Sequence, residues 1–325
     1  MDVLGIRATN DVDVAVTPKL FKELQATGEW EEEIKHNKTF LKKDDVDINP
    51  DISWAEYPTT NEEAIATATV IDGVPFLNLE ELKRLKTASG REKDIADLAL
   101  IEKYQKNKVT EEASINWAKT QLGKDITVTR EPHGDQSTVY FLKSSGKNYF
   151  LKIAPSLEKE SERLKWLSGK LPVPEVIGFT HINDKDALLL SAVGGANLAK
   201  LCKEWGGEKV AKRLAEVLVQ FHSVSAKDCP FGTAGVGKVL IHGDACLPNF
   251  IFNNDNFSGY IDLGDTRVDF PKVDLSAAVW SLQYNLGAGY GLIFLKEYGI
   301  KNATDELVER LRLKYEDAQK EWGLV

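Results

Sequence analysis

The sequence predicts an α+β protein with two domains, and three observations predict this class. The chain has 325 residues, which is enough for two separate hydrophobic cores. Strand-like alternating runs and amphipathic helical stretches both recur along it. Its character changes near residue 107, where the helical stretch NLEELKRLKTASGREKDIADLALIEKY gives way to the polar run QKNKVTEE. We therefore predict a boundary there, between a domain at residues 1–107 and a domain at residues 108–325.

The first domain is predicted to mix strands and helices. The segments DVDVAV and DDVDI alternate as strands do, and the amphipathic segment PKLFKELQATG lies between them. The long helical stretch named above completes the domain. This order of elements is typical of a small α/β unit.

The second domain is predicted to have a small β lobe followed by a larger helical lobe. Strand patterns occur in STVYFLK and NYFLKIA, with SSGKN as a hairpin turn between them. The next helix, LEKESERLKWLSGKL, is closed by Pro172 and Pro174. From residue 196 the pattern is mostly helical, interrupted by the strands VLIHGD and FSGYID. The lobes are expected at about 108–190 and about 194–325.

Composition limits the partners and the compartment. There are 41 basic and 50 acidic residues, which give a net charge of −9. This charge argues against sequence-independent binding of nucleic acid and favours a cationic partner. The three cysteines are odd in number and lack a CxxC or histidine cluster, so neither a disulfide framework nor a zinc site is indicated. No signal peptide or run of ~20 apolar residues appears. We expect a cytoplasmic protein without a nucleic-acid or membrane partner; its oligomeric state is left open.

Three oxygen-bearing side chains follow strand-like runs at short intervals in the C-terminal half. They are Asp244 and Asn249 in IHGDACLPNFIF, and Asp262 in GYIDLGD. Phosphoryl transfer requires one or two Mg²⁺ ions and a carboxylate near the acceptor hydroxyl. Because Mg²⁺ prefers oxygen ligands, Asn249 and Asp262 suit the metal, while Asp244 suits the hydroxyl proton.

Candidates for holding a nucleotide occur in the β lobe. Lys152, at the end of a strand, can hold the α- and β-phosphates, and Glu160 on the next helix can fix this lysine by an ion pair. The turn HGDQS contains Gly134 and Ser137, and its backbone N–H groups can bond phosphate oxygens.

Together these motifs resemble the aminoglycoside 3′-phosphotransferases, relatives of the protein kinases. The resemblance rests on HGDACLPN, IDLGD, FLKIA and LLLSAVGG, and it spans roughly residues 108–325. It implies a bilobal, protein-kinase-like fold and Mg²⁺-dependent transfer of the γ-phosphate of ATP or GTP to a hydroxyl. The implied acceptor is an aminoglycoside such as kanamycin or neomycin, and the implied outcome is antibiotic resistance.

The resemblance also implies roles for individual residues. Asp244 is similar to the family's catalytic aspartate, Asn249 and Asp262 to its metal ligands, and Lys152 with Glu160 to its phosphate-holding pair. The resemblance further implies a position that stacks on adenine, at Phe150, and a strand linking the lobes, at Ser191 and Val193.

The acceptor side departs from the family pattern. Only twelve residues separate Cys229 from His242, where the resemblance implies a longer helical insertion that supplies an acidic antibiotic-binding wall. The acceptor is therefore left open. Near the chain end, Glu316 and Asp317 can supply some negative charge.

A second set of carboxylates lies in the first domain. Asp11 and Asp13, two apart on a strand, project from one face, and with Asp47 they can share a divalent metal. The set resembles the metal site of nucleotidyltransferases. That family also has a glycine-containing turn before the paired aspartates, whereas Gly5 is the only glycine before Asp11 here. We therefore expect an inactive structural or substrate-docking module.

Two alternatives to the kinase remain open. One is nucleotidyl transfer by the N-terminal carboxylates, with the second domain binding substrate. The other is a pseudokinase that binds nucleotide without catalysis. Each motif taken singly also fits a turn, a cap or a surface ion pair. We expect structural roles for Cys246 and His242.

Overall fold

The computed structural model describes residues 1–35, 37–123, 125–132 and 137–321. The chain divides into two compact units, Met1–Val109 and Thr110–Val325. Among the described residues, no helix combines the length and the apolar character needed to cross a bilayer.

The first unit is built on a four-stranded sheet. Its elements are β1 (Val12–Ala15), α1 (Pro18–Ala26), β2 (Glu31–Lys35), β3 (Lys38–Lys43), β4 (Val46–Asn49), α2 (Asn61–Ala66), β5 (Thr69–Ile71), β6 (Val74–Phe76) and α3 (Leu79–Ser89). The sheet order is β1-β4-β3-β2, with β1 parallel to β4. Val16, Phe21, Leu41 and Ile48 form its core, because the alternating strand residues turn one apolar face toward α1.

The helical stretch at the end of this unit differs from the prediction in two ways. The stretch is two helices, because Gly90 adopts a left-handed conformation (φ 62°) that ends α3. The next helix, α4 (Glu92–Leu122), then runs without interruption through the polar run that was predicted to end it. That run contains good helix formers and neither glycine nor proline, so its polarity does not break the helix.

The second unit begins with the predicted β lobe. Its elements are β7 (Ile126–Arg130), β8 (Thr138–Ser144), β9 (Lys147–Ala154), α5 (Glu158–Leu167), β10 (Val176–Ile182) and β11 (Lys185–Ser191), in a sheet of order β10-β11-β9-β8-β7. The hairpin predicted at SSGKN is confirmed: Ser145 and Gly146 connect β8 and β9 with φ values of 48° and 76°.

The helical lobe follows, with short strands inserted in it. Its elements are β12 (Ala196–Asn197), α6 (Leu198–Trp205), α7 (Gly207–His222), β13 (Val239–Ile241), β14 (Phe250–Asn253), β15 (Asn256–Tyr260), β16 (Arg267–Asp269), α8 (Lys272–Leu286), α9 (Tyr290–Tyr298) and α10 (Asp305–Glu321). The predicted strands VLIHGD and FSGYID correspond to β13 and β15. They pair with β16 and β14, respectively, and neither of these partner strands was predicted.

The core of this lobe packs the β14–β15 pair against α7. Phe221 of α7 packs edge-on to Tyr260, whose ring also packs on Phe250. The Tyr260 hydroxyl donates to the carbonyl of Val217 at 2.7 Å, so the buried phenol is satisfied. The loop after β15 therefore starts from a residue that is packed in the core.

Candidate active site

The loop after β13 carries the predicted catalytic aspartate. His242, Gly243 and Asp244 follow β13 directly, and Gly243 has a φ of 95°. A Cβ at Gly243 would collide with the backbone of Asp265. Only glycine fits both the dihedral and the close approach, so the HGD sequence determines the course of this loop.

The Asp244 carboxylate is held at both oxygens. The amide nitrogen of Asn249 donates to Oδ2 at 2.8 Å and to the Asp244 carbonyl at 2.9 Å. The Tyr315 hydroxyl donates to Oδ1 at 3.0 Å. Because each carboxylate oxygen has further acceptor capacity, Asp244 can still accept a hydroxyl proton while its orientation is maintained.

Asn249 and Asp262 lie at the same end of the β14–β15 hairpin. Asn249 closes a short 3₁₀ turn (Leu247–Asn249), and its carbonyl accepts the N–H of Ile261 at 3.0 Å. Asp262 has a φ of 60°, which is uncommon for a residue other than glycine. Backbone strain of this kind often occurs where a side chain is held for function.

The donor chemistry of this pair fits Mg²⁺. The Asn249 amide nitrogen is used by Asp244, so its oxygen is the atom suited to a cation. The Asp262 carboxylate is 56% exposed and can reach a ligand. In the described part of the chain, no three or more histidine, cysteine, aspartate or glutamate side chains are grouped to hold a metal. Mg²⁺ requires no such group, because it takes one or two protein oxygens and completes its shell with phosphate and water.

Lys152, Glu160 and Asp262 form a charged cluster at the end of β9. The Lys152 ammonium lies 2.7 and 2.9 Å from the Glu160 oxygens and 3.0 Å from Asp262 Oδ1. The side chains of Lys152 and Glu160 are only 15% and 6% exposed. Burial by itself lowers the pKa of Lys152, but the two carboxylates outweigh burial and raise that pKa, so the ammonium stays charged.

The positions predicted for the nucleotide base border a cavity of about 490 Å³. Phe150 forms one wall together with Phe141, and their ring centroids are 5.5 Å apart. Ser191 and Val193 line the cavity at the end of β11. The Ser191 hydroxyl accepts the N–H of Glu175 at 2.8 Å, which anchors this connecting segment.

The predicted phosphate turn falls largely outside the described residues. Gly134 is among the residues not described, at 133–136, and Ser137 directly precedes β8.

The predicted acceptor carboxylates lie on α10, directly after Tyr315. Glu316 forms an ion pair with Arg312, and Asp317 lies 3.5 Å from Lys320. The link at residues 230–238 consists of bends, turns and irregular backbone with one isolated bridge, from Gly232 to Val268, and its sequence contains no acidic residue.

The N-terminal carboxylates are arranged in part as predicted. Asp13 of β1 is the register partner of Asp47 on the parallel strand β4, and Asp11 directly precedes β1. Burial, with Asp11 and Asp47 as further causes, raises the pKa of Asp13. Asp47 also lies 3.5 Å from Lys35 and 3.7 Å from Lys42. Proximity to these ammonium groups reduces the charge that Asp47 offers to a metal.

Comparison with known proteins assigns a family to the second unit. A sequence model of the phosphotransferase enzyme family matches residues 128–237 and 235–312, more than half of the chain. The chain belongs to this family. An aminoglycoside 3′-phosphotransferase of Niallia circulans is 27% identical over 250 residues, which cover 61% of this chain and 95% of the relative. An aminoglycoside 3′-phosphotransferase of Enterococcus faecalis is 34% identical over 222 residues, covering 50% of this chain and 83% of the relative. The resemblance predicted for residues 108–325 is confirmed.

The fold of this phosphotransferase has a counterpart among solved structures. An aminoglycoside phosphotransferase from Streptomyces rimosus superposes with a TM-score of 0.50 and 22% identity, covering 62% of this chain and 95% of the other. At that identity the likeness concerns the mixed α+β, kinase-like fold alone. The nucleotidyltransferase-like interpretation of residues 1–107 stays a prediction.

The sequence analysis assigned no role to two residues that support the loop carrying Asp244. Asp274 of α8 is fully buried and accepts the N–H groups of His242 and Gly243 at 2.7 and 2.8 Å. His222 of α7 lies 2.9 Å from the same carboxylate. Asp274 is the single acidic residue in the apolar stretch KVDLSAAVWSL, and such a position indicates a buried carboxylate. The neighbouring sequence does not indicate which groups it bonds.

Tyr315 was also missed as a partner of Asp244, because 71 residues separate the two. Cys246 lies next to both: its Sγ is 3.4 Å from the Tyr315 hydroxyl. Burial, followed by the proximity of Asp244, raises the pKa of the Cys246 thiol well above its ordinary value. Its surroundings therefore favour the unreactive thiol, in line with the structural role expected for Cys246.

Proposed function

We propose that the chain is a small-molecule kinase that transfers the γ-phosphate of ATP or GTP to a hydroxyl of an aminoglycoside. The observation that carries this proposal is the Asp244 carboxylate, fixed at both oxygens. Asn249 bonds it directly, and the Lys152–Glu160–Asp262 cluster belongs to the same unit. This set supplies each part that phosphoryl transfer requires of a protein.

In the proposed reaction Asp244 orients the acceptor hydroxyl and receives its proton. The acceptor oxygen forms a bond to the γ-phosphorus while the bond from that phosphorus to the β–γ bridging oxygen breaks, and the nucleoside diphosphate leaves with the bond's electron pair. Lys152 holds the α- and β-phosphates, and Glu160 holds Lys152. Phe150, Ser191 and Val193 bind the base.

Asn249 and Asp262 would hold Mg²⁺, which when bound neutralises charge on the phosphates. We include Gly134 and Ser137 as backbone contacts to the phosphates. Because the donor is ATP or GTP, we assign the reaction to the cytoplasm, where phosphorylation would inactivate the antibiotic.

Two facts support an aminoglycoside as the acceptor. The relatives with significant sequence identity are named aminoglycoside 3′-phosphotransferases, and the net charge of −9 favours a cationic ligand. Kanamycin and neomycin are the acceptors to try first.

The test is nucleoside diphosphate release by the purified chain with ATP or GTP, Mg²⁺ and kanamycin or neamine. We expect release that depends on drug, and a loss of at least about 10³-fold in the Asp244→Asn variant with nucleotide binding retained. Asp255→Asn is the matched control, because it makes the same change at an exposed carboxylate in the β14–β15 turn. Undiminished turnover by Asp244→Asn would show that this residue is not the base.

We further propose that residues 1–107 form a nucleotidyltransferase-like domain without catalytic activity. The pairing of Asp13 with Asp47 on parallel strands favours this relationship, and the two lysines beside Asp47 favour inactivity. Nucleotidyl transfer is the competing activity. The product mass separates the two, because a kinase adds one phosphate and a nucleotidyltransferase adds a nucleoside monophosphate.

A further inference from the structure

A row of three aromatic side chains leads from the catalytic carboxylate to the surface. The first is Tyr315, whose hydroxyl bonds Asp244. The Trp280 ring lies 5.3 Å from the Tyr315 ring, at 45° to it. The Tyr284 ring stacks on Trp280 at 5.1 Å and 14°. Tyr284 is 76% exposed, so the outer end of the row is open to solvent.

The helices hold this row in place. Trp280 and Tyr284 are four residues apart on α8, so they occupy one face of that helix. The hydroxyl of Ser281, next to Trp280, accepts the N–H of Leu247 at 2.9 Å, which joins α8 to the loop that carries Asp244. Single exposed aromatic residues are common, but a stack that is anchored on a catalytic acid is a surface prepared for a ligand.

The two carboxylates that follow Tyr315 on α10 are engaged in ion pairs within that helix. Glu316 pairs with Arg312, which also pairs with Glu309, and Asp317 lies 3.5 Å from Lys320. The link at residues 230–241 contributes no acidic residue. A cationic acceptor that binds beside Asp244 therefore contacts the faces of these aromatic rings.

We propose that Trp280, Tyr284 and the ring of Tyr315 form the acceptor subsite, and that its ligand class is a cyclic polyol carrying an ammonium group. The inference rests on the proposed kinase function and refines it. The ring of the acceptor packs on the aromatic faces, and its ammonium lies over a ring instead of against a carboxylate. The Tyr315 hydroxyl is a positioning group, because it acts on the acceptor through Asp244.

Steady-state kinetics with kanamycin and neamine test the subsite. We expect Trp280→Ala and Tyr284→Ala each to raise the acceptor KM by between about twofold and about thirtyfold, the range of one cation–π contact. The KM for ATP should stay within about twofold of the unsubstituted chain. Trp280→Phe keeps a ring in place and should recover most of the acceptor affinity. Leu313→Ala is the matched control, since Leu313 is exposed on α10 and lies two residues from Tyr315, on another face of the helix.

The positioning role of Tyr315 has a different signature. Tyr315→Phe keeps the aromatic face and removes the hydroxyl, so we expect the acceptor KM to change less than about threefold while kcat falls about tenfold or more. If Tyr315 had only a structural role, the substitution would lower kcat/KM equally for ATP and for the acceptor. Alternatively, it would reduce the amount of folded protein without separating the effect on kcat from the effect on KM.

Ionic strength distinguishes aromatic from carboxylate recognition. Between about 0.05 M and about 0.5 M salt, exposed ion pairs are strongly screened, whereas contact with an aromatic face depends less on salt. We expect the acceptor KM to rise less than about threefold over this range.

The outcomes separate the two proposals. Asp244-dependent transfer with an acceptor KM unchanged in both alanine variants would overturn the aromatic subsite and leave the kinase intact. A KM that climbs more than about tenfold with salt would also overturn it. No Asp244-dependent transfer to any aminoglycoside would overturn the proposed function itself.

Discussion

Asp274 is the residue whose substitution tests most directly how the loop that carries Asp244 is held. Its Oδ2 accepts the N–H of His242 at 2.7 Å and faces Nε2 of His222 at 2.9 Å, while its Oδ1 accepts the N–H of Gly243 at 2.8 Å. A carboxylate only accepts hydrogen bonds, so His222 must donate from Nε2. We predict that Asp274→Asn both destabilises the protein and lowers kcat.

The magnitude follows from counting donors. An asparagine has one acceptor oxygen and one NH₂ group, so in either orientation its NH₂ faces at least one N–H that Asp274 now accepts. An unsatisfied buried donor costs about 1–3 kcal/mol, and the remaining bonds lose the assistance of the negative charge. We expect the free energy of unfolding to fall by about 2–4 kcal/mol. This is a large part of the free energy of unfolding of about 5–15 kcal/mol that is typical of a domain. Because His242 and Gly243 lead directly to Asp244, a small displacement of the loop should lower kcat about 10²-fold.

Urea unfolding and steady-state phosphoryl transfer measure the two effects. The free energy of unfolding is compared with that of the Asp255→Asn variant. Because the Asp255 carboxylate is exposed, this substitution should lower the free energy of unfolding by less than about 1 kcal/mol. An Asp274→Asn variant within about 0.5 kcal/mol of the unsubstituted chain and with unchanged kcat would refute this account of the loop.

Two further predictions concern buried charges. Lys152→Met removes the cation that Glu160 holds, so kcat should fall about 10²- to 10³-fold in initial-rate assays with ATP. In the first unit, Lys86 bonds Asp94 and Asp97 at 3.2 and 2.6 Å. Burial alone would raise the pKa of Asp94, but its hydrogen bonds to neighbouring side chains, including that of Lys86, outweigh burial and lower the pKa to about 2. The pKa of Asp94 is thus lower in the folded state than in the unfolded state. The carboxylate therefore contributes about 2 kcal/mol to the free energy of unfolding above about pH 4, and this contribution is lost as the pH falls toward about 2. Lys86→Met should raise the midpoint of acid unfolding followed by circular dichroism.

One control makes a conservative change at the same position, and the other makes the same change at a different position. Lys152→Arg retains the charge but not the compact ammonium, so it should recover only part of the activity. Lys103→Met removes an exposed lysine from α4 and should leave the acid midpoint unchanged. Activity of Lys152→Met within about threefold of the unsubstituted chain would contradict its role in holding phosphates. Equal acid midpoints for Lys86→Met and Lys103→Met would contradict the assigned network.

Prediction from sequence succeeded where a short segment carries its own geometry. The segment SSGKN predicted a hairpin because glycine and small polar residues between two strand-like runs indicate a tight turn, and Ser145 and Gly146 form that turn. The Lys152–Glu160 pair could be predicted because a strand end and the next helix lie only eight residues apart. The helix end predicted at the polar run QKNKVTEE was wrong, because α4 continues through that run to Leu122, although the division between the two units falls inside it, after Val109. Polarity reports exposure to solvent, whereas glycine and proline determine where a helix ends, and the chain ends α3 at Gly90 instead.

By itself, the sequence determined the family and the α+β class, and it predicts the site residues Asp244, Asn249, Asp262 and Lys152, because motifs of a few residues specify these features locally. The tertiary structure alone decided which distant groups act on them. Asp274, 30 residues beyond Asp244, accepts the N–H groups of the loop that leads to it, and Tyr315 reaches the Asp244 carboxylate across 71 residues. Such contacts depend on how α8 and α10 pack on the core, and packing is a property of the whole lobe that no local pattern encodes.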